Sequence, residues 1–187
     1  MQKQKKTWGE SIPLRITVAL ALLAAVSIIC GKYLAIRGGD ILRFSFENLP
    51  IILASVAFGP WLGALVAVVA DLVGCVLVGY TVNPLVTLGG AAIAVVSGLI
   101  YRALAHTRVK KSANLVISTA AAHTVGSVVI KTFGLATFYS MPLWELMLWR
   151  LLNYAIVGAL EAVLIVILMN NRAVEKMLEK FLRGDSI

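Results

Sequence analysis

The sequence predicts an all-α integral membrane protein: a six-transmembrane-helix bundle with both termini cytoplasmic. Three observations predict it. Of 187 residues, 60% are hydrophobic and only 14% charged, with mean hydropathy +0.91. A soluble domain of that length cannot hide so much apolar surface. The apolar runs are long and continuous rather than alternating, so helices are favoured over a barrel as the way to satisfy backbone hydrogen bonds in lipid. The basic residues are also unevenly placed. With the N-terminus inside, Lys3, Lys5, Lys6, Arg15, Arg102, Arg108, Lys110, Lys111, Arg172, Lys176, Lys180 and Arg183 fall on the inner side, 12 of the 17 Lys and Arg. Lys32, Arg37, Arg43, Lys131 and Arg150 fall on the outer side or in the outer half. That bias fixes the orientation. It also accounts for the net charge of +8 without nucleic acid as a partner.

The six spans are expected at 14–36, 44–58, 61–80, 85–105, 113–137 and 142–169, in a single domain over 1–187. The first follows the basic MQKQKK start. Its apolar run reaches the upper limit for a signal peptide and no A-x-A site follows, so it reads as a retained helix. Ile29 before Cys30 excludes a lipoprotein site, and Cys30 and Cys75 read as small buried residues. The second span has about 15 residues, about 22 Å of helix against a core of about 30 Å. It opens on Arg43, Phe44, Phe46 and Glu47 and closes at the Phe58-Gly59-Pro60 turn. The third carries one acid, Asp71. The fifth contains Ser118, Thr119, His123, Thr124, Ser127 and Lys131. The sixth contains Trp144, Glu145, Trp149, Arg150, Asn153, Tyr154 and Glu161. Both are too polar to face lipid all round. The tail 170–187 is expected to continue the last helix as a charged, solvated extension.

Small residues recur at helical spacing: Ala21 and Ala25, then Gly63, Ala67, Ala70 and Gly74, then Gly90, Ala94 and Gly98. Such stripes let helices approach closely, either within the bundle or against a partner in the membrane. The outer loop 37–43, with Gly38-Gly39 and three charges, fits a lid or a solvated linker.

Ionisable groups inside spans are costly and therefore candidates for function. Asp71, His123, Lys131, Arg150 and Glu161 qualify, although each could instead pair internally. Catalysis finds little support. The sequence has no G-x-x-x-x-G-K-[ST] phosphate loop, no H-E-x-x-H, no Cys/His set at zinc spacing and no G-x-S-x-G elbow. No enzyme, cofactor or metal is expected.

The run Arg43-Phe44-Ser45-Phe46-Glu47-Asn48-Leu49-Pro50, followed by Phe58-Gly59-Pro60, Gly63-Ala64, Asp71 and Gly74, resembles the substrate-binding S components of energy-coupling factor (ECF) vitamin transporters, and the folate branch most closely. Ala21 and Ala25 match the A-x-x-x-A motif with which such proteins dock their membrane partner. Leu148-Trp149-Arg150-Leu151-Leu152-Asn153 fits their sixth helix. The resemblance implies a six-helix capture protein of the bacterial plasma membrane. It would bind a vitamin from outside and join a transmembrane coupling protein and two cytoplasmic ATPases. Transport would proceed by toppling of the whole S component. Pantothenate, a flavin or a queuosine precursor are the alternative solutes. A self-sufficient secondary transporter is the alternative class, but no inverted repeat favours it.

On that reading Arg43, Phe46, Asn83, His123, Lys131, Trp149, Arg150 and Asn153 are the candidate substrate-binding residues, and Ala21 and Ala25 the docking residues. Folate carries two carboxylates and a pteridine ring. Arg43, Lys131 or Arg150 would receive a carboxylate, and Asn153 and Trp149 would hold the ring. The competing expectation is that Asp71 or Glu145 neutralises Arg150 internally.

Overall fold

A computed structural model describes residues 12–38 and 42–183. Helix α1 (Leu14–Ile28) starts after Pro13 and continues as a π-helical segment, Ile29–Tyr33. A short antiparallel hairpin follows, β1 (Ile36–Gly38) paired with β2 (Leu42–Phe44) in the register Ile36–Phe44, Arg37–Arg43, Gly38–Leu42. This ladder, formed by residues on either side of 39–41, departs from the purely helical expectation. Helix α2 (Asn48–Phe58) has 11 residues, about 16 Å of rise. It ends at Gly59, whose φ of +115° an L side chain rarely adopts. Pro60 then opens α3 (Pro60–Val78), a favoured first position because no intrahelical N–H is lost there.

Helix α4 (Pro84–Leu104) is capped by Asn83, whose side chain accepts from Leu85 N at 3.0 Å and Val86 N at 3.4 Å. The next rod runs as α5 (Lys111–Ala122), a π-helical segment (His123–Ile130) and α6 (Lys131–Tyr139). Ser140, at φ +52°, ends it. Helix α7 (Leu143–Met169) is the longest, at 27 residues. Among the described residues five helices are long and apolar enough to cross a membrane, and α2 is a shorter apolar helix.

Helix α4 is central and packs on α2, α3, α5 and α6. The glycine stripes explain how. A Cβ at Gly63 would lie 2.6 Å from Ser55 Cβ, and one at Gly98 would meet Ser55 Oγ, so α2 lies close against both α3 and α4. The Ser55 hydroxyl donates to the Ala94 carbonyl, satisfying a polar group in the apolar core. Gly63, Ala67, Ala70, Gly74, Gly90, Ala94 and Gly98 are all buried, so the α3 and α4 stripes serve packing within the bundle. The outside is apolar: Leu14, Val76, Trp61 and Trp144 are among many large hydrophobic side chains that stand exposed.

The tail is a separate helix rather than the expected continuation of the last one. The chain breaks at Asn170-Asn171 and starts a separate amphipathic helix, α8 (Arg172–Arg183). Val174, Met177 and Leu178 line an apolar groove with Val18, Leu22, Leu53 and Phe58. Apolar residues at positions 174, 177 and 178 share one helical face, which is turned toward the bundle, with Val174 and Leu178 half-buried and Met177 still exposed.

Candidate functional site

One end of the bundle gathers the C-terminal ends of α1 and α3, the starts of α2 and α4, and α6. Two lysines meet there, and each stands where a helix turns π-helical. Lys32 lies within the Ile29–Tyr33 segment, and Lys131 directly follows His123–Ile130. A π turn widens the helix and re-aims the side chains beside it. Both lysine stems cross a glycine. A Cβ at Gly74 would come within 2.8 Å of Lys32 Cε, and one at Gly89 within 2.5 Å of Lys131 Cγ.

Each ammonium has a carboxylate partner. Lys131 Nζ lies 2.8 Å from Glu47 Oε1 and donates to Asn48 Oδ1 at 3.3 Å. Lys32 Nζ lies 3.6 Å from Asp71 Oδ1 and 5.8 Å from the Tyr80 ring centroid. Asp71 Oδ2 accepts from the Thr87 hydroxyl at 2.6 Å. The Ser27 hydroxyl donates to the Glu47 carbonyl at 2.7 Å, tying α1 to the start of α2. Lys32, Glu47, Asp71 and Lys131 line one pocket with Ser27 and Gly90, around a cavity of about 20 Å³. That is room for about one water.

A second polar cluster lies beside it, between the α5–α6 rod and α7. His123 Nε2 is 2.6 Å from Glu161 Oε2, and both side chains are buried. His123 Nδ1 is 3.3 Å from Ser127 Oγ, and its ring stacks on Tyr154 at 5.3 Å. Gly158 leaves the space: a Cβ there would lie 3.2 Å from His123 Cδ2. Arg150 donates from Nε and Nη2 to the Ser127 carbonyl at 3.3 and 3.2 Å, and its guanidinium lies 5.2 Å from the Tyr154 ring centroid.

The structure thus divides the residues expected at one solute site. Lys131 stands in the pocket. His123 and Arg150 join the second cluster, where Arg150 bonds a backbone carbonyl and an aromatic face rather than Asp71 or Glu145. Asn83 caps α4 and donates to the Gly134 carbonyl at 2.9 Å. Asn153 is buried on α7, while Phe46 and Trp149 stand at the surface. The Arg43 backbone pairs in the hairpin, and its side chain lies outside the described residues, as do residues 39–41 of the loop and Lys3, Lys5 and Lys6. Ala21 and Ala25 lie on an exposed face of α1. Sequence reasoning left Lys32, Glu47, Ser27 and Thr87 off the site. The available signal was charge: Glu47 stands at the start of α2 and Asp71 inside the apolar α3, and buried acids need cations. Among the described residues no group of three metal-ligating side chains forms.

The description "ECF transporter, substrate-specific component" matches residues 15–171. Among solved structures, the fold is similar to a crystal structure of FolT bound with folic acid. The TM-score is 0.64 at 19% identity, covering 79% of this chain and 86% of that one. It is also similar to the S component of a bacterial ECF transporter, with a TM-score of 0.61 at 18% identity, covering 90% of this chain and 98% of that one. No curated protein matches the sequence.

Proposed function

Because this chain belongs to the family of substrate-specific components of ECF transporters, we propose that it captures folate from outside the cell and delivers it to an ATP-driven ECF complex. Its pocket is the observation that carries the solute-binding role: two buried lysines and two carboxylates enclosed by five helices at one end of the bundle. Buried charge in a membrane bundle is costly and is kept where it does something. Folate is supported by the sequence run from Arg43 to Pro50 and by lysines suited to a ligand with two carboxylates.

In this reading the chain crosses the bacterial plasma membrane six times, with α2 as the short crossing and both termini in the cytoplasm. The hairpin end then faces outward. The exposed strip of Ala21 and Ala25 docks a transmembrane coupling protein, and two cytoplasmic ATPases supply the energy. Folate needs far more room than about 20 Å³, so binding moves the pocket side chains apart.

Mass spectrometry of small molecules that co-purify with the protein tests the assignment. A bound folate or other pteridine is the expected result. Pantothenate, a flavin or a queuosine precursor in its place would reassign the solute and leave the transport role standing.

A further inference from the structure

The two ion pairs of the pocket are lopsided. The Lys131 side chain is 6% exposed and its partner Glu47 22%, while Lys32 is 8% exposed and Asp71 19%. The cations form the floor and the carboxylates stand nearer the mouth. Asp71 has, besides Lys32, a short hydrogen bond from Thr87 and a contact with Cys75 Sγ at 3.7 Å. Glu47 has its backbone pinned by Ser27 through its carbonyl, while its carboxylate is the part that reaches Lys131. The Glu47 seat is also tight: a Cβ on Gly31 would lie 2.8 Å from both Glu47 Cβ and Glu47 Oε2.

Next to this pair Asn48 is fully buried. Its Oδ1 faces Lys131, and its Nδ2 has no hydrogen-bond partner among the described residues. A buried donor left unmade is expensive, and this one sits beside an ammonium at the start of α2. The starts of α2 and α4 both contribute to this end of the bundle, with Val86 and Gly90 of α4 in the pocket wall. Helix N-termini favour negative charge. Lys131, the neighbouring Asn48 amide and the uncapped start of α2 therefore make a receptor for a carboxylate, and Glu47 now occupies its lysine.

We propose that Glu47 is a built-in competitor: a carboxylate ligand binds by replacing the Glu47 carboxylate on Lys131 and taking the hydrogen bond that Asn48 Nδ2 leaves unmade. This rests on the solute-capture reading of the pocket and adds the chemical class of the group received there. Ser27 keeps the Glu47 backbone in place while its side chain exchanges. An uncharged solute cannot perform it, because displacing Glu47 without supplying another anion leaves Lys131 buried and unpaired, which is strongly unfavourable. Glu47 thus lowers affinity for carboxylates but selects against neutral ligands.

The test is titration calorimetry of the full-length protein in detergent with folic acid, pantothenate and riboflavin, on the wild type, Glu47→Gln and the double variant Glu47→Gln/Lys131→Met. The glutamine keeps the shape and removes the competing charge. The double variant removes both charges, so it leaves no unpaired buried ion. The expected result is tightening of the bound carboxylate ligand by about tenfold in Glu47→Gln, in the range of close charge-pair couplings, and loss of that gain in the double variant. Tightening seen with pantothenate in a protein that ignores folic acid supports the exchange and overturns the folate assignment. Folic acid binding that weakens or stays unchanged in Glu47→Gln overturns the exchange and leaves folate capture standing. Binding of riboflavin alone, or of none of the three, overturns both.

Discussion

Histidine 123 and glutamate 161 show how much a single buried contact can hold. Their 2.6 Å approach joins the α5–α6 rod to α7, and Glu161 Oε1 has no hydrogen-bond partner among the described residues. The two partners are not equivalent when removed. An imidazole is stable as a neutral ring, whereas a buried carboxylate without its neighbour must be protonated or desolvated alone. His123→Ala is therefore expected to cost about 3 kcal/mol, in the range for breaking a buried pair. Glu161→Gln, which keeps the shape, should cost about 1 kcal/mol. Thermal unfolding in detergent checks the order, and equal losses in the two variants would remove the argument. Glycine matters at the same scale. Lys32 and Lys131 reach the pocket because Gly74 and Gly89 leave room for their stems. Sequence spacing did not reveal those pairings, since the partners come from different helices.

At the scale of elements, the hairpin and the first helix divide the work. β1 and β2 stand directly before Ser45, Glu47 and α2, so their pairing sets where the start of α2 lies. Gly38 is in the ladder opposite Leu42. Gly38→Pro removes a backbone donor and fixes φ, and stopped-flow traces with folic acid should show altered association or release if the hairpin covers the solute. Traces that overlay the wild type would leave it a passive connection. Helix α1 carries the other element-scale expectation. Ala21 and Ala25 are exposed, unlike the α3 and α4 stripes, which the bundle consumes. A bulky pair there would block a close helix contact without touching the pocket. Ala21→Trp with Ala25→Trp should abolish uptake by the assembled transporter and keep ligand affinity within about twofold, roughly the effect expected of a surface substitution. Normal uptake would rule out this strip as the docking face.

The whole molecule is apolar outside and polar along parts of its interior, with Asn48, Thr119, Ser127, Thr132 and Glu161 fully or almost fully buried. Such a protein is organised for lipid around it and a solute within it. Its charged pocket has a cavity of about 20 Å³ at one end. On the proposed reading, capture at that end calls for a second component to complete transport. Reconstituted alone in liposomes, the protein should bind folic acid and accumulate none. ATP-dependent uptake should appear only when the coupling protein and both ATPases are included. Accumulation by the isolated protein would identify it as a self-sufficient carrier.

The sequence by itself determined the membrane class, because hydropathy over about 20 residues is a local property that lipid reads directly. It also determined the family, through the run from Arg43 to Gly74, and the break at Phe58-Gly59-Pro60, where a positive φ at glycine and a fixed φ at proline act within three residues. The tertiary structure alone decided which charges meet. Glu47 and Lys131 are 84 positions apart, and His123 and Glu161 38. Their pairing depends on helix rotation, and the two π-helical segments change that rotation where an ideal 3.6-residue period would place Lys32 and Lys131 elsewhere. The break before α8 was hidden for a related reason. Residues 170–187 are charged enough to read as a plain extension, and only the groove beside α1 shows which face of α8 is turned toward the bundle.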